Sequence, residues 1–315
     1  MSCVGVVPAY HERYFFLRQK TLGIIFILTA AVLFGINGSL SRLLFDSGVT
    51  PVTLVEFRMI VGGLGLFGFL CVQRQCLKLP RRAFGWIIVF GLLIALVTYT
   101  YFVAISRVPI AVAVIIQFTG PAWMALGEAI WRRRIPSWHM LGALVLTIGG
   151  MVLVTGLWEQ NMNGLDDIGL LFSFFALITF IAYLVLGRKV GAYLPPISGT
   201  AYGAVVASLF WLVVQPPWRI PASTWNPHTF LLIVLVGIIG MALPFSLELA
   251  GLRRLDATRA GIAAMFELPA SVVIAFFWLG QDLDLWQLLG CVLVLAGITI
   301  VQLERPADEP LQVIE

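Results

Sequence analysis

The chain has 315 residues, of which 60% are hydrophobic and only 11% charged, with a mean hydropathy of +0.97. A soluble globular domain carries about a quarter charged residues, so this composition excludes one and makes the lipid bilayer the chain's principal partner. The net charge of +4 comes from cations gathered at span ends on one side of the membrane, and gives no ground for a nucleic-acid partner.

Residues 1–20 are read as a cytoplasmic N-terminal tail, because Arg13, Arg18 and Lys20 abut a full-length apolar run with no convincing cleavage pattern. Runs of about 20 apolar residues, long enough to cross a bilayer as helices, follow. There are ten, at 21–43, 52–73, 84–105, 110–131, 137–156, 168–188, 197–215, 228–251, 257–279 and 284–303. Residues 304–315 form a second tail. The expected fold class is therefore an all-α integral membrane protein with ten transmembrane helices. Sixteen of the twenty Lys and Arg fall on one side of this arrangement, among them Arg74, Arg81, Arg82, Arg132 to Arg134, Arg188, Arg253 and Arg254. The other side has Arg42, Arg107 and Arg219, together with Asp46, Glu159, Asp166, Asp167, Asp282 and Asp284. The positive-inside rule then puts both termini in the cytoplasm, in the cell (inner) membrane. Cys3, Cys71, Cys76 and Cys291 lack metal-ligand spacing and are read as packing or surface residues.

The chain is written twice. Phe118, Pro121, Trp138, Gly142 and Gly149 recur as Phe266, Pro269, Trp286, Gly290 and Gly297, all at an offset of 148. Gly23, Phe26, Ala30, Phe34 and Arg42 recur as Gly169, Phe172, Ala176, Phe180 and Arg188 at an offset of 146. Two units of five spans result, at 21–156 and 168–303. An odd number of spans per copy forces the copies into opposite orientations, an inverted repeat. Pro121 and Pro269 fall at mid-helix and have no N–H for the carbonyls of Gln117 and Met265, so each is expected to kink its helix. In lipid such a gap must face protein or a water-filled cavity. Small residues at Gly35, Gly38, Ser41, Gly62, Gly65, Ala260, Ala263, Ala264 and Ser271 allow close helix approach, or border a cavity.

Several of these stretches carry a resemblance: Pro51 to Arg58 (Pro-Val-Thr-Leu-Val-Glu-Phe-Arg), Tyr101 to Ile105, the two mid-helix prolines, and Trp138-x3-Gly142-x6-Gly149 with its copy Trp286-x3-Gly290-x6-Gly297. In them the chain resembles the drug/metabolite transporter superfamily, in its ten-helix branch of two EamA-type repeats. The chain departs from the family at Arg132 to Arg134 and at Gly280-Gln281-Asp282, where Gly-Glu is common before the last helix of each repeat. The resemblance implies efflux of small metabolites, with amino acids the commonest substrate class.

Ionisable groups inside lipid cost about 2.5–3.5 kcal/mol at a helix centre on insertion scales, so each asks for an explanation. Glu267 lies roughly 16 Å into its span, near the midplane of a ~30 Å core. A carboxyl there can be neutral in one state and charged in another, which makes it the expected proton-coupling residue. Its counterpart in the other repeat is Thr119. Arg58, roughly 9 Å from the outer edge, either pairs with Glu56 or snorkels, or else holds an anionic group. Glu128 and Glu248, near cytoplasmic helix ends, are read as interfacial partners of Arg132 to Arg134 and of Arg253 or Arg254. Asn37, Tyr99, Tyr101, Gln117, Trp123 and Tyr183 lie at intermediate depth and, with Arg58 and Glu267, are the expected cavity and substrate-binding residues.

Enzyme signatures are absent. His11, His139 and His228 are far apart at the tail and span ends, Gly63 to Gly65 lies inside a span, and there is no Walker lysine. No catalytic residue, metal or cofactor is expected. The reading is a secondary transporter that exports amino acids or related small metabolites by alternating access, with proton coupling. Open beside it are a facilitator or importer of another small solute, such as a nucleobase or drug-like amine, and a non-transporting accessory membrane subunit.

Overall fold

The computed structural model describes residues 9–74, 79–133, 136–157, 165–220, 222–279 and 283–303. Cys3, Cys76, Glu159, Asp282 and the 304–315 tail lie outside them. Among the described residues ten helical stretches are long and apolar enough to cross a membrane, from Gln19–Phe45 to Leu285–Gln302. Each span read from the sequence has its counterpart, with ends shifted by a few residues. The protein is a multi-pass, all-α membrane protein.

Seven spans are unbroken helices: α1 (Ala9–Asp46), α2 (Pro51–Val72), α3 (Phe84–Ile105), α6 (Trp138–Thr155), α7 (Asp167–Tyr193), α8 (Pro196–Val214) and α13 (Leu285–Leu303). Helix α1 starts twelve residues before the span at 21, inside the stretch read as a tail. The other three spans are interrupted, and each interruption adjoins a proline. The fourth divides into α4 (Ile110–Phe118) and α5 (Gly120–Arg132), just before Pro121. The ninth divides into α11 (Ala257–Ala264) and α12 (Glu267–Leu279), just before Pro269. The eighth, read from the sequence as continuous, divides into α9 (Pro227–Gly237), a π-helical turn at Ile238–Ala242 and α10 (Leu243–Leu252). Pro244 sits at the second residue of α10 and cannot serve the carbonyl of Gly240, so the regular ladder cannot pass through this point.

Short polar side chains start the helices. Thr50, Ser137, Asp166, Asn226 and Asp256 each accept a hydrogen bond from a first-turn amide of α2, α6, α7, α9 and α11 respectively. Asp166 also accepts from Arg107 at 2.9 Å, tying the end of α3 to the start of α7. That bond holds the Asp166 carboxyl below the usual carboxylate range.

Close packing rests on small residues at helix crossings, as expected where lipid gives no hydrophobic drive between helices. A Cβ at Gly150 would lie 2.7 Å from the Gly290 carbonyl oxygen, and one at Gly290 would lie 2.5 Å from that of Gly150, so α6 and α13 meet backbone to backbone. Gly35 lies against the Ser271 backbone, Gly62 against Met241 and the Gly237 carbonyl, and Gly261 against Pro121 and Met124. This last contact brings the two proline-broken spans of the repeated motif together. Gly38 and Gly65 meet nothing within 4 Å, and of the two only Gly38 borders the cavity. Exposed aliphatics such as Leu64 and Val145 cover the outside, where lipid replaces water.

Candidate cavity

A cavity of about 850 Å³ lies among α1, α2, α3, α4, α7, α10, α11 and α12. At one end it reaches the α1–α2 turn, where Gly48, Thr50 and Pro51 line it with Ser106 after α3 and Gln287 of α13. Gly48 takes φ +86° in that turn, a conformation strained for any residue with a side chain. At the other end it stops at Ile27, Tyr183 and Glu248. Beyond them α1 and the α10 end close on each other. A Cβ at Gly251 would fall 2.5 Å from Ile27 and 3.1 Å from the Gly23 carbonyl, and one at Gly23 would fall 2.9 Å from Arg254. Arg254 donates to Gln19 Oε1 at 3.0 Å and stacks over Phe26 at 5.0 Å, covering the same end.

The walls are mostly apolar, with eight aromatic rings, and polar side chains are set among them. Phe245 packs edge-on against Phe34 and Tyr183, and Tyr183 stacks on Phe90. Six of the eight residues read as cavity candidates line it: Asn37, Arg58, Tyr101, Gln117, Tyr183 and Glu267. Two do not. Tyr99, two residues before Tyr101, points about 200° away around α3 and packs on Phe172 and Trp211. Trp123 is 56% exposed on the outer face of α5.

Arg58 is 3% exposed, and its guanidinium donates to the carbonyl of Gly240. That carbonyl is the one Pro244 cannot serve, so the break in the eighth span supplies an acceptor for the arginine. Phe245, the next residue, lies 6.0 Å from the guanidinium. Pairing of Arg58 with Glu56 does not occur, because residues two apart lie on opposite sides of a helix. Glu56 is fully buried and off the cavity, and neither of its oxygens has a partner among the described residues. Glu267 is the first residue of α12 and is in electrostatic reach of Arg58, Tyr101 and Glu248.

Glu248 corrects the sequence reading. It is 4% exposed, lines the cavity and accepts a hydrogen bond from the Tyr183 hydroxyl at 2.9 Å. Arg253 and Arg254 follow five and six residues later and so project from other sides of the chain. Arg254 donates to Gln19 and to the Ala250 carbonyl. Glu128 lies on an exposed part of α5. Asn37 Oδ1, Ser41 Oγ, Gln117 Oε1 and Arg58 Nε are buried beside the cavity with no partner among the described residues.

A largely apolar chamber that holds a few charged side chains among membrane-spanning helices, reaching one surface and closed towards the other, is the architecture of a membrane transporter rather than of an enzyme. The chain belongs to the EamA-like transporter family, whose pattern matches residues 21–156 and again 167–303. It is similar to the threonine/homoserine exporter RhtA of Salmonella typhimurium strain SL1344, at 27% identity over 88% of this chain and 90% of that protein. The Escherichia coli K12 protein of the same name is 26% identical over the same shares. The uncharacterized transporter YwfM of Bacillus subtilis is 25% identical over 88% of this chain and 92% of its own length. A solved crystal structure shares the fold, with a TM-score of 0.72 over 89% of this chain and 96% of that one, at 17% identity.

Proposed function

We propose that the protein exports amino acids or related small metabolites across the cell (inner) membrane by alternating access between two inverted five-helix repeats, driven by protons. The observation that carries this reading is the cavity itself, which places Arg58, Glu248 and Glu267 deep within apolar helices while reaching only one surface. The amino-acid substrate class is supported by the likeness to the RhtA proteins, which are threonine/homoserine exporters. The excess of Lys and Arg at the opposite helix ends makes the sealed side cytoplasmic, with both chain termini there. The open end is then external, and the conformation is outward-facing. The inverted repeat supplies the inward-facing form by exchanging the roles of the two halves.

Glu267 carries the proton. It faces Arg58 from α2, Tyr101 from α3 and Glu248 from α10. Released to the cytoplasm when the cavity faces in and rebound when it faces out, the proton moves inward as solute moves outward. The test is a proteoliposome flux assay of the pure protein under an imposed pH gradient. Glu267→Gln should abolish gradient-driven accumulation and leave only a slower downhill flux of labelled amino acid. Gradient-driven transport by the variant as fast as by the parent rules the residue out as the proton site. Downhill flux insensitive to pH in the parent makes the protein a facilitator.

A further inference from the structure

Arg58 and Glu267 share one cavity, are of opposite charge whenever Glu267 is ionised, and do not pair. No carboxylate lies within salt-bridge distance of Arg58 among the described residues, and no cation lies within that distance of Glu267. Each nevertheless feels the charge of the other. Opposite charges 4 Å apart attract by about 4 kcal/mol even at an effective dielectric of 20, so a gap between them needs a cause. The backbone provides it. Arg58 is tethered to the Gly240 carbonyl at the π-turn, and Glu267 is fixed at the start of α12, beyond the break at Met265 and Phe266.

Other polar atoms of the residues lining the cavity are also incomplete. Among the described residues, Arg58 Nε is a donor without an acceptor, and Gln117 Oε1 and Asn37 Oδ1 are acceptors without donors. Their residues are 3%, 8% and 6% exposed, and all three line the cavity. Glu248, the other carboxyl in the cavity, is already engaged by Tyr183. A ligand with a single charge would satisfy one of Arg58 and Glu267 and leave the other buried and unpaired, which is strongly destabilising. A ligand with both charges a few bonds apart satisfies both.

We infer that the cavity binds the zwitterion of an α-amino acid between Arg58 and Glu267, its carboxylate on the guanidinium and its ammonium on the carboxylate, with the Gln117 amide oxygen as a further acceptor for the ammonium. This rests on the amino-acid reading above and assigns the poles of that same site. It also gives the proton its task, because a proton on Glu267 and the ammonium compete for one carboxylate. Protonation from outside therefore releases the solute there.

The test uses proteoliposomes of the full chain, with uptake corrected for protein-free vesicles. Labelled proteinogenic amino acids and homoserine are screened, and the fastest is compared with two analogues of the same side chain. Its amino alcohol lacks the carboxylate, and its 2-hydroxy acid lacks the ammonium. Both should move more than about tenfold more slowly than the amino acid, since a site built for a polar group rejects analogues that leave its buried partners empty. Arg58→Gln should narrow the gap to the amino alcohol alone, and Glu267→Gln the gap to the 2-hydroxy acid alone. Analogues carried as fast as the amino acid by the parent overturn the assignment while leaving amino-acid transport standing. Failure of the parent to carry any amino acid overturns the substrate class itself. Where a variant does not purify, the analogue comparison on the parent decides.

Discussion

Gly142 and Gly290 occupy the same place in the two copies of the Trp-x3-Gly-x6-Gly motif, yet they should respond oppositely to one methyl group. A Cβ at Gly290 would lie 2.5 Å from the Gly150 oxygen, 2.7 Å from the Val154 nitrogen and 2.8 Å from Val154 Cγ2. Non-bonded carbon contacts are optimal at about 3.5–4.0 Å, so α6 and α13 would have to part by roughly 1 Å along their most intimate crossing. Two of the three atoms are backbone and cannot rotate aside. Overpacking of this kind costs about 1–3 kcal/mol, and the rigidity of the neighbours puts Gly290→Ala at the upper end. A Cβ at Gly142 meets nothing within 4 Å. Gly142→Ala should be neutral or gain up to about 1 kcal/mol from helix propensity. Thermal unfolding of the purified protein in one detergent, parent against both variants, reads the difference. Gly290→Ala should melt several degrees lower and Gly142→Ala at or above the parent. Equal melting of the two variants would refute the packing argument.

The orientation predicts that a cysteine placed at Asn226 is labelled by an impermeant maleimide in intact cells and one placed at Gln19 is protected; the reverse pattern overturns the topology. Pro121→Ala and Pro269→Ala, each worth up to about 3 kcal/mol of helix propensity, should leave expression intact and melting at or above the parent while slowing transport, because each closes the break in its own span. Unchanged flux in both variants would reduce the prolines to packing features.

The spans were legible because lipid imposes a minimum length on apolar runs, and the carboxyl of Glu267 stood out because depth in a span can be counted from its end. What counting cannot give is the direction a side chain takes around its helix. Glu248 lies a turn from the end of α10, and its depth resembled that of an interfacial residue, but its side chain turns inward to Tyr183. Tyr99 and Tyr101 have nearly equal depth, and only one reaches the cavity. Gly142 and Gly290 are equivalent in the repeat, but the tertiary contacts of α6 and α13 use Gly150, not Gly142, against Gly290. The departure at Gly240 was readable in principle, since Pro244 lies well inside an apolar run.

Sixteen prolines are present, and three of them, Pro121, Pro244 and Pro269, lie inside a span rather than at its first residue or in a loop. Residues just before two of them line the cavity, and the one before the third holds a residue that does. Gln117 stands four before Pro121 and lines it, Gly240 stands four before Pro244 and accepts the Arg58 guanidinium, and Glu267 stands two before Pro269 and lines it. A carbonyl that loses its helical donor costs several kcal/mol against hydrocarbon, so such a break is stable only where protein or water can meet it. The constraint works in both directions: protein groups make the breaks tolerable, and at Gly240 the break frees a carbonyl for Arg58 that a continuous helix would have kept for itself. Interrupted spans are therefore where polar ligand chemistry can be built in a chain with so little charge.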